Sequence, residues 1–155
     1  MTACPVEARL RELGHSLPDS APSRAMFLPG KLSGNLLFLS GQICEWEGVP
    51  RYFGPADDSL DLAEAQAAAR MCALNLLFSI RAVVGSLGRV REIVRVGGFV
   101  SARPGFEAGP MVVNGASQLF IDLWGTAGQH ARTAVCVASL PANALVEIDA
   151  VVEIA

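Results

Sequence analysis

Residues 58–88 constrain the fold more than any other part of this 155-residue chain. Leu62, Ala65, Ala69, Ala73, Leu76, Ile80, Val83 and Leu87 recur at steps of three and four, the spacing of a single helix face. Ser59 or Asp61 stands where a short polar residue caps the first free N–H groups. Glu64 puts a carboxylate near the positive end of the helix, and Gly85 and Gly88 stop the run. A long helix with one continuous apolar stripe must lie on something, and the neighbouring apolar runs are strand-like. The helix is therefore expected to cover a sheet.

Those runs set the rest of the order. Residues 5–13 suit a short amphipathic helix with Val6, Leu10 and Leu13 on one side and Gly14 as a stop, and Pro18, Pro22 and Ser23 mark a linker. Residues 35–43 read as a strand after a tight turn at Ser33-Gly34-Asn35, and a second strand is expected over 49–53, turned by Glu47-Gly48. A strand over 91–101 alternates Ile93, Arg95 and Gly97 against Val94, Val96 and Gly98, and Pro104 and Gly105 break it. A second helix is expected over 111–124, followed by strands over about 133–140 and 145–154. The simplest packing is an α+β fold with one mixed sheet of about five to six strands and two helices on one face. Residues 1–24 form an extension with its short helix and linker, and residues 25–155 form the main domain. The opposite sheet face then needs cover, and a symmetric oligomer is one source of it.

Composition narrows the function. With 52% hydrophobic and 17% charged residues the chain is a globule, and a mean hydropathy of +0.40 argues that some apolar surface enters a subunit interface. The net charge is −3, and Arg89, Arg91 and Arg95 are interleaved with Glu92, so no phosphate-neutralising surface is evident. Cys4, Cys44, Cys72 and Cys136 lack CxxC spacing and follow no secretory leader, so they read as reduced, mostly buried thiols of a cytoplasmic protein. Asn75, Ser79 and Arg81 interrupt the apolar run near Cys72, which argues against a membrane span. His15 and His130 have no ligand spacing for a metal. Ser40 has no nucleophile elbow around it and reads as a hydroxyl bonded to backbone, and Gly97-Gly98 lacks the dinucleotide spacing.

Polar chemistry concentrates in residues 130–150. Arg132 heads a small-residue strand and Glu147 stands near the start of the next, both in apolar surroundings where unpaired charge is costly. A guanidinium fork there matches a small carboxylate. An ideal hairpin centred near Ala142 and Asn143 sets Glu147 opposite Ala138, about 20 Å along the strand from Arg132, too far to meet. Either a bulge or another turn shortens that offset, or the two residues belong to a cleft shared between subunits. The plain alternatives are a solvated strand-end cation for Arg132 and a solvated strand face for Glu147, Asp149 and Glu153.

The ordered set Ser33-Gly34-Asn35-Leu36-Leu37-Phe38-Leu39-Ser40-Gly41-Gln42, the Ala-rich helix, Val96-Gly97-Gly98-Phe99-Val100, Val113-Asn114-Gly115-Ala116-Ser117, Ala131-Arg132-Thr133-Ala134-Val135 and Val146-Glu147-Ile148 resembles the YjgF/RidA family over residues 25–155. The resemblance implies a chorismate-mutase-like fold and a homotrimer with ligand clefts between subunits. It also implies cofactor-free, metal-free hydrolysis of enamine and imine acids such as 2-aminoacrylate to a 2-keto acid and ammonia. Arg132 matches the residue that holds the substrate carboxylate, and Glu147 matches the one that positions or activates water. Ser40-Gly41 matches the cleft-lining turn and Asn114 a polar residue of the cleft. Phe27 stands in place of a tyrosine, and Ala134 in place of a cysteine, where only backbone groups could reach a substrate. Two other functions follow from the same family: a non-catalytic trimer that binds keto acids, and an endoribonuclease or translation inhibitor, which the acidic charge balance opposes.

Overall fold

In a computed structural model, which describes residues 4–21 and 26–155, Asp61 rather than Ser59 starts the long helix. Its carboxylate accepts from the N–H groups of Ala63 at 3.0 Å and Glu64 at 3.2 Å. The elements run in the order α1 (Pro5–Glu12), β1 (Gly30–Ser33), β2 (Leu36–Ile43), β3 (Glu45–Trp46), β4 (Val49–Pro50), α2 (Leu62–Val84), β5 (Val90–Ser101), α3 (Gly109–Trp124), β6 (Ala131–Val137) and β7 (Val146–Ile154). Gly85 ends α2 in the left-handed region at φ 89°, where a Cβ would be strained.

Five strands form one mixed sheet in the order β1, β2, β7, β5, β6, with only β5 and β6 parallel. Central β7 shows the period of two expected of a strand with one covered face. Val146, Ile148, Ala150, Val152 and Ile154 are buried, and Glu147, Asp149, Val151 and Glu153 are half-buried on the opposite face. The buried set joins Leu37, Leu39, Ile93, Val96 and Val100 beneath α2 and α3. Two glycines permit the close packing of these layers. A Cβ at Gly98 would enter the Val113 side chain of α3, and a Cβ at Gly115 would enter the backbone of Gln66 on α2. By length and composition α2 is apolar enough to cross a membrane, but most of it is buried as the core helix.

The structure revises several expectations. Residues 49–53 contribute only β4, which pairs with β3 in a separate two-stranded ribbon, whereas β1 precedes the Ser33-Gly34-Asn35 turn and completes the main sheet. The alternation expected through β5 slips at Val94, where the register with β7 shifts and Ile93 and Val96 both face the helices. The largest revision concerns the C-terminal strands. β6 and β7 do not form a hairpin, because α3 leads from β5 to a parallel neighbour, β6, and the return segment then crosses to the other side of β5. That segment contains a single-turn 3₁₀ helix at Pro141–Asn143 with positive φ at Ala142 and Asn143, not a two-residue hairpin loop.

Helix α1 packs on α3, with Leu10 buried and Arg9 Nε donating to Asp122 O at 3.4 Å. The linker residues Pro22 and Ser23 lie outside the described residues. All four cysteines are free; Cys44 and Cys72 are buried, but Cys136 is exposed, because edge strand β6 is uncovered.

Candidate functional site

The sheet separates the expected site residues into two groups. Arg132 is in register with Val96, which is in register with Ala150; both neighbours are buried, so the Arg132 side chain leaves β6 on the helix side. There α3 presents three acceptors along one face at positions 110, 114 and 117. Arg132 Nη1 donates to Asn114 Oδ1 at 2.8 Å and to Ser117 Oγ at 3.2 Å, and Nη2 donates to Pro110 O at 3.3 Å. A guanidinium has five N–H groups. Among the described residues Nε and one Nη2 proton therefore stand clear of these three bonds and are left for a carboxylate. Ala134, next on the same face of β6, packs against the core.

Glu147 lies on the other side of the sheet, in register with Phe99 of β5 and Ile43 of β2. It belongs to an open cleft of about 460 Å³ that Phe27, Gly41, Ile43, Pro50 and Pro141 also line, and into which the buried Gln42 and Glu45 reach. A bulge shapes this wall. The β2 register jumps from Leu39 opposite Ala150 to Gln42 opposite Ile148, so that Ser40 and Gly41 together oppose Asp149. Ser40 Oγ donates to Leu28 O at 2.5 Å and ties the bulge to the segment carrying Phe27. Gly41 leaves the space occupied by the Glu147 carboxylate, and Gly97 does the same for Asp149.

Burial raises the Glu147 carboxyl above its ordinary range, and the neighbouring Asp149 carboxylate adds to the shift. Asp149 is itself raised by burial, against the opposing pull of Arg95, 3.6 Å away, and of the Gly97 N–H. Burial and the nearby like charge thus both make the charged form of Glu147 less favourable.

Arg132 and Glu147 do not meet within one protomer. From the register, about 10 Å along the strands and two strand spacings separate their backbones, roughly 14 Å in all, and the side chains leave opposite faces. The site residues fall into a helix-side group of Arg132, Asn114 and Ala134 and an open-face group of Phe27, Ser40, Gly41 and Glu147. Sequence reasoning missed Ser117 and His130 as partners of the first group; Ser117 lies one turn after Asn114, so helical spacing could have found it. It also missed Glu45 and Gln42, whose burial depends on contacts remote in sequence. A separate cleft of about 480 Å³ beside Arg103, Phe106 and Cys136 contains none of the expected residues. Among the described residues no three His, Cys, Asp or Glu side chains converge as metal ligands would.

A sequence profile of the family described as "YjgF/chorismate mutase-like, putative endoribonuclease" matches residues 7–154. The chain belongs to the YjgF/RidA family. It is 40% identical over 150 residues to Protein TCP17 of Trypanosoma cruzi, covering 96% of this chain and 94% of that protein. The crystal structure of Atu1372 from Agrobacterium tumefaciens, a protein of unknown function, superimposes with a TM-score of 0.89 at 43% identity, covering 97% of this chain and 94% of the other. The fold also matches TdcF of E. coli, solved with bound serine, with a TM-score of 0.60 at 23% identity over 90% of this chain and 99% of that one.

Proposed function

We propose that this member of the YjgF/RidA family hydrolyses small imine or enamine acids to 2-keto acids and ammonia, in clefts assembled between copies of the protein. One observation carries the reading: an arginine with two N–H groups to spare and a glutamate whose carboxyl pKa is raised by burial occupy opposite faces of one sheet. They can serve one ligand only if Arg132 of one protomer faces Glu147 of another. The uncovered faces suit that assembly. Edge strand β6 exposes Val135, and the face bearing Glu147 exposes Phe38 and Val94, an apolar surface that a homotrimer would cover. The bound serine in TdcF is a small amino acid whose carboxylate is the kind of group the Arg132 fork would take.

The chemistry demands little beyond position and charge. Arg132 holds the carboxylate of R–C(=NH)–COO⁻, with Asn114 keeping the guanidinium in place. Glu147 donates its proton toward the imine nitrogen and takes one from water as the C–O bond forms at C2. Glu147, now carrying the proton taken from water, passes it to the carbinolamine nitrogen and accepts the hydroxyl proton as the C–N bond breaks, so ammonia leaves with the 2-keto acid. Phe27 supplies an apolar wall without a hydroxyl, and Ala134 offers only its backbone. Four free cysteines fit a reducing, cytoplasmic setting.

The test is keto acid and ammonia release from 2-aminoacrylate generated in situ, with oligomer mass measured by analytical ultracentrifugation. Trimers that lose at least about 100-fold in kcat/KM in Arg132→Ala support the reading. Tight keto acid binding without turnover would leave a binding protein, and equal rates in both proteins would remove Arg132 from the site.

A further inference from the structure

His130 lies just before β6 with its ring half-buried and edge-on to Phe120, centroids 6.0 Å apart. Its Nδ1 is 2.7 Å from Gly128 O, and a carbonyl can only accept, so Nδ1 carries the proton. Nε2 is then a bare acceptor 2.8 Å from Ser117 Oγ, and the Ser117 hydroxyl donates to it. With its proton committed there, Ser117 presents lone pairs to Arg132, whose Nη1 donates to it. Burial lowers the imidazole pKa, the Gly128 bond opposes this and Arg132 pushes the same way as burial, which favours the neutral ring that this order of donors requires.

We propose that His130 is a positioning residue for the carboxylate grip, acting through Ser117 to fix the direction in which the Arg132 guanidinium points its two spare N–H groups. The proposal rests on the reading of Arg132 given above. A free hydroxyl could turn its own proton toward the cation and release Nη1. The imidazole prevents this by accepting that proton, so Ser117 joins Asn114 and the Pro110 carbonyl in fixing the guanidinium plane. The chain of hydrogen bonds runs from a main-chain group, the Gly128 carbonyl, through the ring and the hydroxyl to a side-chain cation, the arginine.

The variants that test this are Ser117→Ala, Ser117→Thr, His130→Phe, which keeps an aromatic ring against Phe120, and the double variant Ser117→Ala/His130→Phe. In ¹⁵N NMR of the ligand-free protein, the Arg132 Nη signals are expected to be resolved in the wild type and in Ser117→Thr, and averaged by rotation in His130→Phe and Ser117→Ala. In turnover of 2-iminopropanoate, His130→Phe and Ser117→Ala each raise KM about tenfold with little change in kcat, and the double variant is no worse than either single one. Arg132 signals that are alike in the wild type and His130→Phe, or KM effects that multiply in the double variant, overturn the proposal. A wild type that shows the NMR pattern but hydrolyses no imine refutes the proposed activity and leaves the positioning role standing.

Discussion

Gly41→Ala separates the function of the Glu147 cleft from the stability of the fold. Gly41 is not among the residues with positive φ, so alanine suits its backbone. Its Cβ, however, would lie 3.2 Å from Glu147 Cδ and 3.3 Å from Cγ, and closer still to Oε1. The carboxylate must leave. Because Glu147 is only half-buried, it can rotate toward solvent at a cost of about 1 kcal/mol for a less favourable rotamer. The narrower unfolded ensemble of alanine offsets about 0.4–1 kcal/mol of that. Stability should change by less than about 1 kcal/mol, under roughly 4 °C in Tm for a protein of this size. Activity should fall much further, since moving a reacting group by about 1 Å costs on the order of 100-fold. Thermal melts and keto acid release from 2-aminoacrylate, run on the same preparation, read both quantities. Activity retained within about threefold would refute the placement of Glu147 against Gly41 as the source of its role.

Three further outcomes follow from the same geometry. Gly115→Ala brings a Cβ to 2.7 Å from the carbonyl carbon of Gln66 and 2.8 Å from its Cα; these backbone atoms cannot swing aside, so α2 and α3 must part. Despite a helix-propensity gain of about 1 kcal/mol, urea unfolding should show a net loss of about 1–3 kcal/mol, and a stabilised variant would contradict that packing. Glu147 binds its proton more tightly in the folded state than in the unfolded state, so between its ordinary value and its raised value stability falls as pH rises. Glu147→Gln should flatten that slope in denaturant titrations across pH; an unchanged slope would assign it to Asp149 or elsewhere. Arg132→Lys keeps the charge but loses the planar fork and should raise KM well above the wild type, and wild-type KM would mean that a point charge suffices.

How much was legible varies with the range of the forces involved. The α2 stripe, its glycine stop and the α3 repeat were readable because helix periodicity is local, and Asn114, singled out with Arg132 by the family motifs, is bonded to it. The β5 phase was misread because the bulge at Val94 arises from its pairing with β7 and not from any residue within β5. The hairpin expected at Ala142 and Asn143 failed for a similar reason. Adjacent strands in sequence prefer to pair, but the α3 crossover had already placed β6 beside β5, leaving β7 to fill the centre of the sheet. Ser117 ends the motif that carries Asn114 but was given no role there, and the place of Ser117 and His130 depends on which way Arg132 points.

By itself the sequence determined the long helices, the main strands, the layer of two helices on a sheet and the family, and it named Arg132 and Glu147 as candidates, because these depend on periodicity, capping and an ordered series of short motifs. Only the tertiary structure decided that these two residues leave opposite faces, that Gly41 and Gly97 make room for carboxylates, and that His130 and Ser117 stand behind the arginine. Strand order is set by long-range pairing, and moving a strand by one place in the sheet changes every neighbour of its side chains while leaving its local pattern untouched.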